Sequence, residues 1–281
     1  MINGENKESK LEILISTMYK TSLSFLSAMF SNDDYLNYTI LIVNQTTQDK
    51  LLISNYNNIR VINSFSRGLS LSRNIAINNA LMDICLLADD DVSYVEGFSE
   101  IIESTFERNH FAGVITFQMI DDKGVLYNKY PNVILHNKKT VSTVNSVVIA
   151  LDRKKIIKNN VFFNENFGLG SIFETADEYV FLRSALRKEI KIFFEPKILL
   201  KHPSFSSGRA VVSDKIIYAR SAVFYKYNGV ITYLKLGWHL FLLIKNNKLK
   251  SSKFLKKYKH GLKGINKYKG LLKQGLETRK S

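Results

Sequence analysis

Residues 83–98 read DICLLADDDVSYVEGF, an apolar run from Ile84 to Ala88 that passes directly into three consecutive aspartates, Asp89, Asp90 and Asp91. The run has the length and continuous apolar character of a strand buried on both faces, the habit of a parallel sheet covered by helices. Just upstream, LSLSRNIAINNAL at 69–81 sets Leu69, Ile75, Ile77 and Leu81 at roughly helical spacing. LEILIST at 11–17, YTILIV at 38–43 and IRVIN at 59–63 are three further strand candidates, with a helix-length segment between the first two. Strands alternating with helices predict βαβ units in an open, right-handed parallel sheet. Ligands of such sheets bind beyond the carboxyl ends of the strands, and the acidic triplet stands at one of those ends.

The second half changes character. FAGVITFQMI at 111–120 and TVNSVVIAL at 143–151 read as strands, DRKKIIKNN at 152–160 as a short helix, ETADEYVFLRSALRKE at 174–189 as a longer one, and IKIFF at 190–194 as a strand. Prolines fall only at 131, 196 and 203, and no Pro/Gly/Ser-rich linker, repeat or low-complexity segment interrupts the chain. The simplest division is one α/β domain over residues 1–220 followed by a helical tail over 221–281.

With 281 residues, 45% hydrophobic and 12% aromatic, the chain is long and apolar enough for a substantial core. The net charge of +15 invites a nucleic-acid reading, but its distribution does not support one. Residues 245–281 hold 13 Lys/Arg against the single acid Glu277, which leaves 27 basic against 24 acidic residues in the first 244. The charge belongs to the tail, where it suits nucleic acid or an anionic membrane equally. The lone Cys85 sits inside the apolar run and excludes a disulfide framework, and MINGENKESK at the N-terminus lacks the apolar core of a signal peptide. A cytoplasmic location is expected.

Three adjacent carboxylates repel one another, and burying them unpaired costs several kcal/mol, so a counter-charge is required. Alternate acids Asp89 and Asp91 can point to one side of an extended strand end and Asp90 to the other. Hard oxygen ligands of this kind suit Mg²⁺ or Mn²⁺ rather than zinc. The alternative is a solvated acidic loop.

SLSRNIAINNALMDICLLADDDV at 70–92 resembles the central signature of family 2 glycosyltransferases, in which an Arg-Asn helix leads into an apolar strand ending in a D-x-D motif. ILISTMY is similar to the first strand and loop of that family's nucleotide-binding half, ADEYVFLRSALRKEIKIFFEP to its acidic catalytic helix and following strand, and HPSFSSGR at 202–209 to a segment found after that strand in bacterial exopolysaccharide and capsule members. About 200 residues are covered, in the family's order. The resemblance implies a GT-A fold, with a Rossmann-like nucleotide-binding sheet and a mixed acceptor-side half. It also implies inverting transfer of a sugar from a nucleoside diphosphate donor, a UDP-sugar above all, to a saccharide acceptor in surface polysaccharide synthesis.

Further expectations follow for single residues. Mg²⁺ or Mn²⁺ on Asp89 and Asp91 would neutralise the departing diphosphate, Asp89 or Asp90 would meet the ribose and donor sugar, and His202 would complete the metal site, approach the diphosphate or serve structurally. Inversion needs a general base at the acceptor hydroxyl. Matching Phe181 to the family's phenylalanine puts Glu178 in that role with Asp177 beside it, a slip of one residue reverses them, and both acids also suit the positive end of a helix. Gly168 and Gly170 resemble the loop beside the acceptor. Where many relatives carry an Asp for uracil, this chain offers Asn44 and Gln45, amides that both donate and accept. Thr17 is placed at the nucleoside, and Arg73 is a candidate for base or ribose, or else a helix-surface charge.

Rival readings fit less well. A haloacid-type phosphatase places its D-x-D on the first strand, a nucleic-acid binder would not confine its charge to a tail, and a silent sugar-nucleotide-binding or scaffold relative would not need both acidic sites. In the tail, NGVITYLKLGWHLFLLIKNN at 228–247 repeats Asn228, Thr232, Lys235, His239 and Asn246 at helical spacing and leaves a wide apolar face with Trp238, on a segment too interrupted to span a bilayer. Phe254, Tyr258, Leu262, Ile265, Tyr268 and Leu272 form a second stripe. Residues 228–281 are therefore expected to lie on an anionic membrane, on the inner face of the cell membrane beside a lipid-linked acceptor, unless these helices pack on the catalytic domain instead.

Overall fold

A computed structural model describes residues 10–203 and 212–279. The first half runs β1 (Leu11–Met18), α1 (Phe25–Met29), β2 (Thr39–Gln45), β3 (Ile59–Ser64), α2 (Leu69–Asn79), β4 (Ile84–Asp89), β5 (Ser93–Tyr94) and α3 (Phe98–Arg108). The second half adds β6 (Val114–Ile120), β7 (Ile149–Asp152), α4 (Arg153–Lys158), α5 (Asp177–Arg187), β8 (Ile192–Lys201) and the tail helices α6 (Asp214–Asn228), α7 (Thr232–Lys245) and α8 (Phe254–Lys273). One eight-stranded sheet has the order β3-β2-β1-β4-β7-β6-β8-β5. The strands expected in the first half pair in parallel, and β7 then enters antiparallel to both β4 and β6. The result is a parallel half fused to a mixed half.

The core follows from the continuous apolar strands. Ile13, Leu14, Ile15, Ile40, Leu41, Ile42, Leu86 and Leu87 are all buried, as a two-sided sheet requires. One carboxylate shares that burial. Glu12 accepts from Arg60 Nη2 at 2.6 Å and from the backbone amides of Leu81 and Met82, which pins the α2–β4 turn to the start of β1.

Three local expectations need correction. TVNSVVIAL is a strand only from Ile149, and it is preceded by 3₁₀ turns at Thr140–Thr143 and Ser146–Val148. Val147 and Val148 are buried without laddering, and a short apolar run does not distinguish the two arrangements. The segment between β1 and β2 holds only the five-residue α1 and a 3₁₀ turn at Tyr35–Asn37, capped by Asp34. The strand at IKIFF instead continues to Lys201 through Pro196, which sits where the β6–β8 register shifts, a place that tolerates a missing N–H.

That extension matters for function, because β5 pairs with the far end of β8, Ser93 opposite Lys201 and Tyr94 opposite Leu200. The turn after β4 is thereby held against the residue that follows β8, His202.

The tail folds onto the body. α6 runs unbroken across residue 220, and its Ala219, Ala222 and Val223 pack with Phe167, Phe173 and Val180 of the body and with Tyr268 and Leu271 of α8. At Gly264 a Cβ would lie 2.1 Å from the Tyr218 carbonyl, so this helix pair approaches closely only because the residue is glycine. Phe254, Tyr258, Leu262 and Ile265 join a cluster with Leu236, Leu240 and Leu243 of α7. The second stripe is therefore used inside the protein. No helix of the described residues is long and apolar enough to cross a membrane.

Candidate active site

β1 and β4 are in register with Ser16 opposite Asp89, and β1 and β2 with Thr17 opposite Asn44, so three strands end along one edge of the sheet. Beyond that edge lies a cavity of about 700 Å³ whose walls include Thr17, Gln45, the three aspartates, Asp177, Glu178 and His202. Ligand sites commonly occupy about 300–1,000 Å³, so the space suits a nucleotide-sized molecule.

Arg73, from α2, lies beneath this cavity rather than in its wall. Its side chain is only 2% exposed. Nη2 donates to Asp89 Oδ1 at 2.9 Å and to Ser146 Oγ at 2.8 Å, while Nη1 donates to Asp177 Oδ2. Burial works against the guanidinium charge, but Asp89, Asp177 and Glu178 together hold it above its ordinary value. The arginine expected at the base or ribose is instead the counter-charge that joins the two acidic motifs.

The other two aspartates have partners of their own. Asp90 receives Lys20 Nζ at 3.0 Å and the Thr17 hydroxyl. Asp91 is 54% exposed at its side chain and has Oδ1 at 3.7 Å from His202 Nε2. His202 Nδ1 is 3.0 Å from the Pro203 carbonyl. A carbonyl only accepts, so Nδ1 donates, and in the neutral ring Nε2 carries a lone pair facing the Asp91 carboxylate. Two electron-pair donors opposed in this way fit a shared cation. Asp89 is occupied by Arg73, and among the described residues no group of three His, Cys, Asp or Glu side chains could hold a metal ion. Of the two aspartates expected to chelate a metal, Asp89 is therefore engaged by Arg73, while Asp91 and His202 face each other at the cavity.

The residues expected at the nucleotide are corrected in one position. Asn44 is fully buried and absent from the cavity wall; its Oδ1 accepts from Lys20 N at 3.1 Å and its Nδ2 donates to Lys20 O at 2.9 Å and to Asn63 Oδ1 at 3.0 Å. With its amide group engaged, it shapes the loop after β1. Gln45 does line the cavity, where its Oε1 accepts from Gly68 N at 2.7 Å.

Across Arg73 from Asp89, α5 begins at Asp177 after Ala176, which has a left-handed φ of 65°. Gly168 allows the preceding loop to pass, because a Cβ there would meet Asp177 Cβ and Ser70 Oγ, each at 3.1 Å. Asp177 is buried against Arg73, whereas half-buried Glu178 faces open space. Burial, reinforced by the Asp177 carboxylate, pushes the Glu178 carboxyl up to about 8. Such a group holds a proton near neutrality and gives or takes it readily.

Sequence reading missed Ser146 and Tyr127. Ser146 was hidden in a segment read as strand, and Tyr127, whose ring stands edge-on 5.3 Å from His202, belongs to a stretch without a motif. Residues 204–209 of HPSFSSGR lie outside the described residues.

The sequence pattern of the family described as "Glycosyl transferase family 2" matches residues 15–178, from β1 through the first turn of α5. Among solved structures, Staphylococcus aureus TarS 1–349 in complex with UDP-GlcNAc aligns at a TM-score of 0.56 and 13% identity, over 94% of this chain and 92% of that one. The same protein in complex with UDP aligns at 0.53 and 12% identity, covering 94% and 91%. A longer TarS chain gives 0.55 and 14%, and there this protein covers 86% of its own length but only 46% of the other. At such identities the likeness shows the fold alone. No curated protein matches the chain. The family match takes in more than half of the sequence and ends on Glu178, so both acidic motifs of the cavity fall within it, and this chain belongs to glycosyl transferase family 2.

Proposed function

We propose that the protein is an inverting glycosyltransferase that moves a sugar from a UDP-sugar to a hydroxyl of a saccharide acceptor, lipid-linked, in bacterial surface polysaccharide synthesis. The carrying observation is that one cavity is lined both by the strand-end aspartates and by a carboxyl group poised near neutrality. The structural neighbours in complex with UDP and UDP-GlcNAc support a uridine donor.

In this reading Thr17 and Gln45 meet the nucleoside, while Asp89 and Asp90, fixed by Arg73 and Lys20, orient the ribose and sugar. Asp91 and His202 would hold Mg²⁺ or Mn²⁺, which supplies neutralisation of the departing diphosphate. Glu178 takes the acceptor proton as the acceptor oxygen bonds to the anomeric carbon. The bond from that carbon to the diphosphate breaks on the opposite face, which inverts the centre. Asp177, neutralised by Arg73, positions the start of α5.

The membrane belongs to the same reading. On α7, Leu234 and Trp238 are 79% and 62% exposed, and with Val230, Ile231 and Phe241 they make an outward apolar ridge. Lys245, one turn beyond Phe241, begins the basic segment. An enzyme seated by this ridge on the inner, anionic face of the cell membrane meets a lipid-linked acceptor where it resides.

Calorimetric titration with UDP, with and without Mn²⁺, tests the donor site. Binding is expected to strengthen with Mn²⁺, and Asp91→Asn should weaken the Mn²⁺-dependent part at least about ten-fold without loss of fold. Absence of UDP binding to the wild-type protein overturns the reading.

A further inference from the structure

Glu178 stands in a wall shared by two cavities. The second, of about 630 Å³, lies among α5, α6, α7 and the segment 138–142, and both cavities touch Thr175 and Ala176 as well. Lys138, Lys139, Arg183, Arg220, Lys235 and His239 line it, and Glu178 is its only carboxylate among the described residues.

Two of these cations, Arg183 and Lys235, are held against aromatic rings rather than by acids. The Arg183 guanidinium lies 4.0 Å from the centre of the Tyr227 ring and donates to the Tyr179 hydroxyl at 2.5 Å. Lys235 Nζ sits 4.8 Å from the centre of the Phe224 ring, with one long bond of 3.5 Å to Asn228 Oδ1. Burial depresses the Arg220 guanidinium, and the Glu178 charge opposes that. Two further polar atoms, Tyr227 Oη and His239 Nε2, are shielded from solvent without a hydrogen-bond partner. Burial first, and then Arg220 and Lys235, push the His239 imidazole down to about 4, so it adds no charge of its own at neutral pH. Elsewhere the fold pairs its enclosed cations, Arg73 with two aspartates and Lys226 with Glu277. Here it assembles positive charge and leaves the counter-ion out.

A concave surface lined by cations concentrates anions. The donor diphosphate is already accommodated at the aspartate end of the first cavity, so the anion of the second comes with the other substrate. We infer that the acceptor is a phosphate-bearing saccharide, whose phosphate seats among Lys139, Arg183, Arg220 and Lys235 while its free hydroxyl reaches Glu178. Two guanidinium forks and two ammonium groups exceed the need of a single carboxylate and match the several oxygens of a phosphate. This inference rests on the glycosyltransferase reading of the first cavity and adds the acceptor's chemical class to it.

The test is a calorimetric titration of the full chain, already saturated with UDP, with three probes. Glycerol 3-phosphate represents a terminal phosphate, glycerophosphoglycerol a bridging phosphodiester, and glycerol the neutral control. At least one phosphate probe is expected to bind alongside UDP while glycerol does not, and the preferred probe distinguishes an end phosphate from a phosphodiester backbone. Lys139 and Lys235 are exposed, so Lys139→Gln with Lys235→Gln removes charge without disturbing the core. The double variant should weaken phosphate binding by about ten-fold or more, and Arg220→Gln by a similar factor, with UDP affinity unchanged. Failure of both probes to bind, their displacement by UDP, or equal affinity in wild type and double variant overturns the inference. If UDP itself does not bind, the donor reading falls, and the same titration without UDP still decides whether the second cavity takes phosphate.

Discussion

Arg73 and Glu178 divide the electrostatic work of the site at the scale of single residues. Removal of Arg73 leaves Asp89 and Asp177 facing each other without a buried cation, and breaking a buried pair by deleting one partner costs about 3–5 kcal/mol. Arg73→Gln is therefore expected to lower unfolding stability by that amount in urea titration. Arg73→Lys should recover only part, because an ammonium group does not present the fork that reaches both carboxylates. Glu178 behaves differently. Its carboxyl is raised from 4.5 to about 8, so the folded state holds the proton more tightly than the unfolded chain. That contribution favours folding below pH 4.5 and is lost as pH rises through about 8, while the basic form that the proposed role of Glu178 requires appears over the same rise. The predicted kcat/KM profile climbs through an apparent pKa near 8, and Glu178→Gln flattens it while lowering kcat by about 10²- to 10⁴-fold. Asp177→Asn should instead act mainly on stability, and a reversed pattern would make Asp177 the base. The acids were legible in the sequence because three carboxylates after an apolar strand demand compensation. Their partners were not, because Arg73 reaches Asp177 across 104 positions of chain and no local pattern encodes that approach.

Among the elements, the parallel strands were legible for a simple reason: β1, β2 and β4 are apolar on both faces, and their flanking signals are local. The segment 140–148 was not, since its buried valines fill the core from 3₁₀ turns and an apolar run alone does not reveal whether it ladders. The basic tail was half legible. Its amphipathic period is real, but which surface its stripes meet depends on tertiary contacts, and α8 meets α6 and α7. The lock on that arrangement is Lys226, whose buried Nζ lies 3.0 Å from Glu277 Oε2 and 3.0 Å from the Thr278 carbonyl, with Tyr268 Oη also 3.0 Å from Glu277 Oε2. Glu277→Ala takes the carboxylate away from that buried ammonium group and should destabilise the protein, read as a lower urea midpoint with an unchanged slope. A chain shortened to Tyr227 would also strip Tyr268 and Leu271 from the cluster over Phe167 and Phe173, so it is expected to lose the body's packing as well as the tail. Point substitutions on the outer face of α7 are therefore the sound way to ask what the tail does.

For the whole molecule the proposed membrane contact turns on the outward face of α7. α7 presents opposite faces to opposite partners: Leu236, Leu240 and Leu243 are buried against α8, whereas Leu234, Trp238 and Phe241 point outward, with Trp238 and Phe241 stacked at 5.4 Å. Exposed apolar side chains aligned along a helix, followed by a lysine-rich stretch, combine the two forces that hold a peripheral protein at an anionic bilayer. Apolar burial supplies about 25 cal/mol per Å², and each basic residue near the surface adds up to about 1 kcal/mol. The single tryptophan of the chain lies in the centre of this ridge and reports on it directly. Trp238 emission is predicted to shift to the blue, and the protein to cosediment, with vesicles containing phosphatidylglycerol at low salt; neutral vesicles should give little of either. Leu234→Asp with Phe241→Asp removes the apolar face but keeps the reporter, and it should abolish both signals while leaving the unfolding temperature near that of the wild type, because these side chains touch solvent. Cosedimentation that survives this double substitution would place the contact on the lysines alone, and a wild-type protein that ignores anionic vesicles would refute the membrane assignment.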